Sequence, residues 1–216
     1  GLDFFFLVMV FAMIKRPPAF GTKIKSIDSA AAKASPGILD VVQFQNNVAI
    51  VGNSTWQIMK AKALLKVEYE KEEKIESSAD HDAIFTTLMN GTTVTVQRKD
   101  GDVETAFKNA AKTISSEYQC PFLPHSPLEP MNFFAHVKED SVELVGPTQT
   151  PQAARQAVSK LLNIPQEKIT VDITRLGGGF GRRLKFDYVL EAAELSSIIK
   201  KPVKVMGGVY DEKKET

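Results

Sequence analysis

Three consecutive glycines, Gly177-Gly178-Gly179, followed by Phe180-Gly181-Arg182-Arg183, set the tightest limit on what this chain can build. Such a run packs no core and carries a high backbone entropy cost inside any regular element. It belongs where the chain turns sharply or comes very close to another group. Residues 168–176, just before it, alternate apolar and polar as a strand does. Just after it, Leu184, Tyr188, Ala192 and Leu195 fall at the three- and four-residue spacing of one helix face, within a helical pattern over 184–200. The pattern predicts strand, glycine turn, helix. That arrangement aims unpaired backbone N–H groups and a helix N-terminus at one point, which suits an anion or an oxo group. Neither common phosphate loop fits. The third glycine of Gly-x-Gly-x-x-Gly is missing from either Gly177 or Gly179, and Arg182-Arg183-Leu184 is not the Gly-Lys-Ser/Thr of a P-loop. A tight turn without a ligand is the competing reading, but three glycines, a phenylalanine and two arginines exceed what a turn requires.

The apolar run 4–14 is too short for a membrane-spanning helix. It lacks a preceding basic segment, so a buried strand rich in Phe and Val is expected rather than a signal peptide. Residues 29–34 form a short helix candidate that starts after Asp28 and stops before Pro36-Gly37. Residues 41–44 and 48–51 form a hairpin around Asn46-Asn47, with a helix over 55–65 and an exposed strand over 66–70. Charge and small polar residues dominate 68–82, the best linker candidate, continued by 86–91. Further on, the pattern suggests a strand over 93–97, a helix over 103–113, the start of a second unit at 114–119, a short strand over 142–144 and a helix over 152–162. The expected fold class is α+β in two units, divided between about residues 68 and 92, with no doubly wound parallel sheet.

The net charge of +1 gives no electrostatic reason to expect nucleic acid or an anionic membrane as partner. Cys120 is the single cysteine, which excludes an internal disulfide framework and a cysteine-held iron–sulfur cluster within these 216 residues. None of the three histidines is paired at metal-ligand spacing, so no protein-held metal is expected; His81 and His136 read as surface or strand residues.

Gly-Gly-Gly-Phe-Gly-Arg-Arg over 177–183, Asp187-Tyr188-Val189-Leu190-Glu191-Ala192-Ala193 and Lys201-Pro202-Val203-Lys204-Val205-Met206 together resemble the molybdenum hydroxylases. This is the xanthine oxidase and aldehyde oxidoreductase family, and the resemblance is to its large molybdopterin-binding subunit. The paired arginines are most similar to the isoquinoline 1-oxidoreductase beta subunit branch. Pro124-His125-Ser126-Pro127-Leu128-Glu129-Pro130-Met131-Asn132 and Gly146-Pro147-Thr148-Gln149-Thr150-Pro151-Gln152 extend the match upstream. Arg16-Pro17-Pro18, Ile27-Asp28, Pro36-Gly37-Ile38 and Val48-Ala49-Ile50-Val51 resemble the family's hammerhead domain. The resemblance implies a hammerhead-like α+β domain over 1–90, followed by the first part of the molybdopterin-binding domain over 91–216. Family large subunits are much longer, so an N-terminal fragment is expected. Two stretches depart from the family pattern. Leu7-Val8-Met9 lacks the Pro-Gly turn that precedes the first strand. Gly207-Gly208-Val209-Tyr210-Asp211-Glu212 replaces Trp-Thr/Ser-Arg-Glu-Asp.

The resemblance implies oxidation of aldehydes or N-heteroaromatic compounds, with water as the oxygen source, at a mononuclear molybdenum that no protein atom ligates. The implied cofactor is molybdopterin, as its cytosine dinucleotide, in the full-length parent and not in this fragment. Gly178, Gly179, Phe180, Gly181, Arg182 and Gln149 are the implied cofactor-binding residues. The Gln149 amide suits a metal-bound oxygen because it donates without adding charge. His125 and Glu129 are candidates for the substrate side; alternatively both are buried, with Glu129 hydrogen-bonded to His125 or an amide to brace the proline-rich segment. Two cations at a helix start oppose its dipole, so Arg182 and Arg183 either meet a cofactor or substrate oxyanion or form a solvated end. Leu184 stands where xanthine oxidase has a glutamate, which argues against a purine substrate. The family's catalytic base is a glutamate after a glycine far downstream, so no catalytic residue is expected in this chain. Implied partners are a small-molecule substrate and an iron–sulfur subunit or other electron-transfer protein. Two alternative readings of the sequence stand beside this one: a non-catalytic cofactor-binding or assembly module, and an unrelated α+β ligand-binding protein.

Overall fold

The computed structural model describes residue 2 and residues 4–19, 21–70 and 76–207. In chain order the elements are β1 (Val10–Lys15), β2 (Ile24–Asp28), α1 (Ala30–Lys33), β3 (Ile38–Phe44), β4 (Asn47–Gly52), α2 (Thr55–Leu64), β5 (Lys66–Tyr69), α3 (Ser78–Met89), α4 (Val103–Asn109), β6 (Asn132–Val137), β7 (Val142–Gly146), α5 (Pro151–Leu162), β8 (Ile169–Ile173), α6 (Asp187–Ile199) and β9 (Val203–Met206). They divide into two compact units, Gly1–Glu72 with Leu123–Thr216, and Glu73–Phe122.

The first unit is built on a seven-stranded sheet in the order β3-β4-β1-β9-β6-β7-β8, so strands from both sides of residue 90 share one sheet. The β1–β9 and β7–β8 pairs are parallel and the other pairs antiparallel, which makes the fold α+β with a mixed sheet, as the sequence suggests. β2 and β5 form a separate antiparallel ribbon. Alternate residues of each strand feed two cores. Ala12, Ile14, Ala49 and Val51 join Phe133, Ala135 and Leu144 on one side, where α5 and α6 bring Val158, Val189, Ala192 and Leu195. Met13, Val48 and Ile50 face the other way, onto Ala32 of α1 and Ile58 and Ala61 of α2.

Several local expectations change. Of the apolar run 4–14, only Val10 onward is strand, and Phe5, Leu7 and Val8 are exposed. Leu184 lies in a 3-10 turn and is exposed, so the buried face of α6 starts at Tyr188. β6 was not anticipated. Asn132-Phe133-Phe134-Ala135 is buried on both faces and so shows no alternation.

In the second unit, the stretch read as linker contains α3. Its signal is a capping box in which the Ser77 hydroxyl accepts from Asp80 N–H and the Asp80 carboxylate accepts from Ser77 N–H. The predicted strand over 93–97 is irregular and exposed, as are residues 114–119, where the sequence suggests that a second unit starts. The helix predicted over 103–113 is the shorter α4. No described side chain of this unit is buried. The departing tail is outside the described residues beyond Gly207.

Sheet register places every candidate segment at one edge. Gly146 pairs with Ile173, so the loops leaving the parallel strands β7 and β8 emerge side by side. Asn132 pairs with Met206, which brings the segment before β6 to the same edge. Lys15 pairs with Val48, which adds the segment after β1 and the turn before β4. The carboxyl ends of adjacent parallel strands are where open sheets form ligand crevices.

Candidate functional site

The glycine loop between β8 and α6 has its strand-to-helix position as predicted. Gly178 has φ +101°, Phe180 +50° and Gly181 +94°, so the backbone turns through left-handed conformations that glycine tolerates. Two loop carbonyls are taken up internally: Gly179 O accepts from Arg182 N–H at 2.8 Å, and Gly181 O from Leu184 N–H at 3.1 Å. The N–H groups of Gly178, Gly179, Phe180 and Gly181 have no partner among the described residues.

Neither arginine is a solvated helix start, because each has an anion within the fold. Arg182 is nearly buried and donates bidentately to Asp187, at 2.9 Å for both bonds. Arg183 is 0% exposed. Its Nε donates to Gly178 O at 2.8 Å and its Nη1 to Pro147 O at 3.5 Å. Its Nη2 donates to the Glu129 carbonyl at 2.9 Å and to Glu129 Oε2 at 3.1 Å. The same Oε2 accepts from Gly177 N–H at 2.8 Å, and Asn132 Nδ2 donates to the other carboxylate oxygen at 3.3 Å. Arg183, Gly177 and Asn132 are thus among the hydrogen-bond partners of Glu129.

The loop after β7 closes against the same hub. Gln149 N–H donates to the Arg183 carbonyl at 3.1 Å, and the Tyr188 hydroxyl donates to Pro147 O at 2.8 Å. A Cβ added at Gly179 would lie 2.6 Å from Gln149 Oε1, so the end of the glutamine side chain occupies the space that a side chain at 179 would need. His125 stands at Gly181, where an added Cβ would be 3.6 Å from its Nε2. Beside them opens a cleft of about 500 Å³, lined by Arg16, Asn46, His125, Gly181, Lys185 and Glu191 among others. Arg16 and Glu191 are themselves paired at 2.5 Å. The structure thus brings all the candidate residues to one edge. Sequence reading missed Arg183 as the hub, and the signal for it was two adjacent cations needing two anions. Among the described residues no three His, Cys, Asp or Glu side chains converge on a metal-sized point.

Burial pushes the Asp187 carboxyl up, but the hydrogen bonds and charge of Arg182 outweigh this and hold it below the usual aspartate value. A carboxyl lowered in the folded state adds stability above its unfolded pKa of about 3.9, and that stability is lost as pH falls through the folded value. Asp187→Asn is therefore expected to flatten the fall of stability with acidity below about pH 4. Urea unfolding across pH checks this, and an unchanged acid slope would contradict it.

A family profile described as "Molybdopterin cofactor-binding domain" matches residues 85–212, well over half of the chain. The chain belongs to the molybdopterin cofactor-binding domain family. A relative from Gluconacetobacter polyoxogenes, named membrane-bound aldehyde dehydrogenase [pyrroloquinoline-quinone], is 31% identical over 95% of this chain and 28% of its own length. The isoquinoline 1-oxidoreductase subunit beta of Brevundimonas diminuta is 28% identical over 99% of this chain and 29% of its own. The solved aldehyde oxidoreductase of Desulfovibrio gigas superposes with a TM-score of 0.73 at 15% identity, over 95% of this chain and 27% of that one, a likeness of fold. The chain thus spans under a third of the length of these proteins. No described helix is long and apolar enough to cross a membrane. The site fits the family's cofactor: a bulky anion needs close backbone approach and free donors, and residues 178–181 offer both.

Proposed function

We propose that this chain forms part of the molybdopterin site of an oxidoreductase that hydroxylates aldehydes or N-heteroaromatic compounds with oxygen derived from water. The carrying observation is the row of unclaimed N–H groups on residues 178–181, next to the Gln149 amide. The names of the matched relatives, aldehyde and isoquinoline enzymes, support the substrate classes for this protein.

In this reading the amides of Gly178, Gly179, Phe180 and Gly181 and the Gln149 side chain hold the cofactor, with its cytosine dinucleotide form assigned here by family likeness. When bound, that group supplies a redox-active molybdenum able to transfer oxygen and accept electrons. Gln149 orients by hydrogen bonding without adding charge. Arg182, held by Asp187, secures the exit of the loop and lines the cleft. His125 flanks the substrate's approach through that cleft, and Glu129 acts as the brace. The catalytic base is assigned to no residue of this chain. An iron–sulfur subunit or similar protein would take the electrons; the relative's designation as a beta subunit supports a multi-subunit enzyme. Residues 1–90 are assigned to a hammerhead-like part and 91–216 to the cofactor-binding part, which the start of the family match at residue 85 supports.

The test is turnover by the full-length protein with an artificial electron acceptor in isotopically labelled water. Label in the carboxylic acid or hydroxylated heterocycle is expected. Oxidation of neither substrate class by cofactor-loaded protein would overturn the reading. Gln149→Ala removes one hydrogen bond, worth roughly 0.5–1.5 kcal/mol. It should lower turnover with most cofactor retained. Gly179→Ala should reproduce that phenotype, because its methyl group displaces the Gln149 side chain. Kinetics per bound molybdenum would check the pair, and a normal Gly179→Ala enzyme would break the link.

A further inference from the structure

We propose that Arg183 is a positioning residue: its buried guanidinium fixes which way the peptides of the glycine loop face and how far the loop stands from Gln149. This role rests on the reading that the loop binds molybdopterin.

One side chain, that of Arg183, joins three segments of the chain. The guanidinium holds Gly178 O, Pro147 O and both the carbonyl and carboxylate of Glu129. The Arg183 carbonyl meanwhile accepts Gln149 N–H at 3.1 Å. The distance from Gln149 to the loop is therefore set from both ends of the same residue.

Orientation follows from peptide geometry. In a trans peptide the C=O and the next N–H point in opposite directions. Drawing Gly178 O inward to Arg183 Nε turns Gly179 N–H away from the hub. The next peptide is fixed the same way, since Gly179 O accepts from Arg182 N–H and so turns Phe180 N–H outward. Both outward N–H groups are among the unclaimed donors. Without Arg183 the peptide between Gly178 and Gly179 loses its internal partner and, flanked by glycine on both sides, is free to rotate. A lysine keeps the charge opposite Glu129, but its compact ammonium cannot reproduce the planar fork that reaches Gly178, Pro147 and Glu129 together.

The experiment compares full-length wild type with Arg183→Lys and, as a second variant, Glu129→Gln, which keeps an oxygen acceptor for Arg183. The readouts are the rate of pterin release from the holoprotein, followed by fluorescence, and kcat and KM per bound molybdenum. Arg183→Lys is expected to release pterin faster. It should lose roughly ten- to a hundredfold in kcat per molybdenum, the scale of an ångström-sized misplacement, with KM within about twofold. Glu129→Gln should shift the same way by less, and it decides the matter if the lysine variant does not fold. A purely structural role would lower yield and Tm while leaving kcat per molybdenum and pterin release at wild-type values in the loaded fraction. That result, in whichever variant folds, would overturn the role. Wild-type protein with neither cofactor nor turnover would instead remove the functional reading itself.

Discussion

Replacing Glu129 with leucine is expected to destabilise the protein by about 3–5 kcal/mol, the cost of leaving a buried charge without its partner. Arg183 is fully enclosed, and Glu129 Oε2 is the carboxylate oxygen placed against it. The same substitution strips the Gly177 N–H of its acceptor. The carbonyls of Gly178, Pro147 and Glu129 would remain, but dipoles do not neutralise a guanidinium. Equilibrium urea unfolding of the full-length protein measures the loss. A change below about 1 kcal/mol, the range of exposed pairs, would mean that the hub is open to water.

Gly181→Val is expected to abolish cofactor loading while leaving the fold in place. At φ +94° a β-branched residue is strained by about 1–3 kcal/mol. The protein around it has room, since the nearest atom to an added Cβ is His125 Nε2 at 3.6 Å. The damage should therefore fall on the loop's outward surface, where the Gly181 amide lies beside the cleft. Molybdenum content should drop to background with an unchanged circular dichroism spectrum. Full molybdenum loading would make the loop a turn and nothing more.

The glycine loop was legible because its signals are local: alternation before it, helical spacing after it, and a composition that no packed element tolerates. The hairpin of β3 and β4 was legible for the same reason. The sheet was not. Its centre joins Val10 to Val203 in parallel, and nothing in either strand names a partner so far along the chain. β6 was hidden because burial on both faces erases alternation. The α3 helix was obscured by charge, although Ser77 and Asp80 carried its start signal. At the site, the sequence placed a demand for anions at Arg182 and Arg183 but not their identity. Asp187 was close enough to guess, whereas Glu129 reaches Arg183 only through the fold, since β6 delivers its segment to the edge where β7 and β8 end.

The most direct measurement is the molybdenum and pterin content of the full-length protein purified from molybdate-supplied cells. Stoichiometric molybdenum and molybdopterin, retained through gel filtration, is the result that a glycine loop with four unclaimed N–H groups and a buried arginine hub predicts. Folded protein carrying neither would contradict the assignment of this loop to the cofactor.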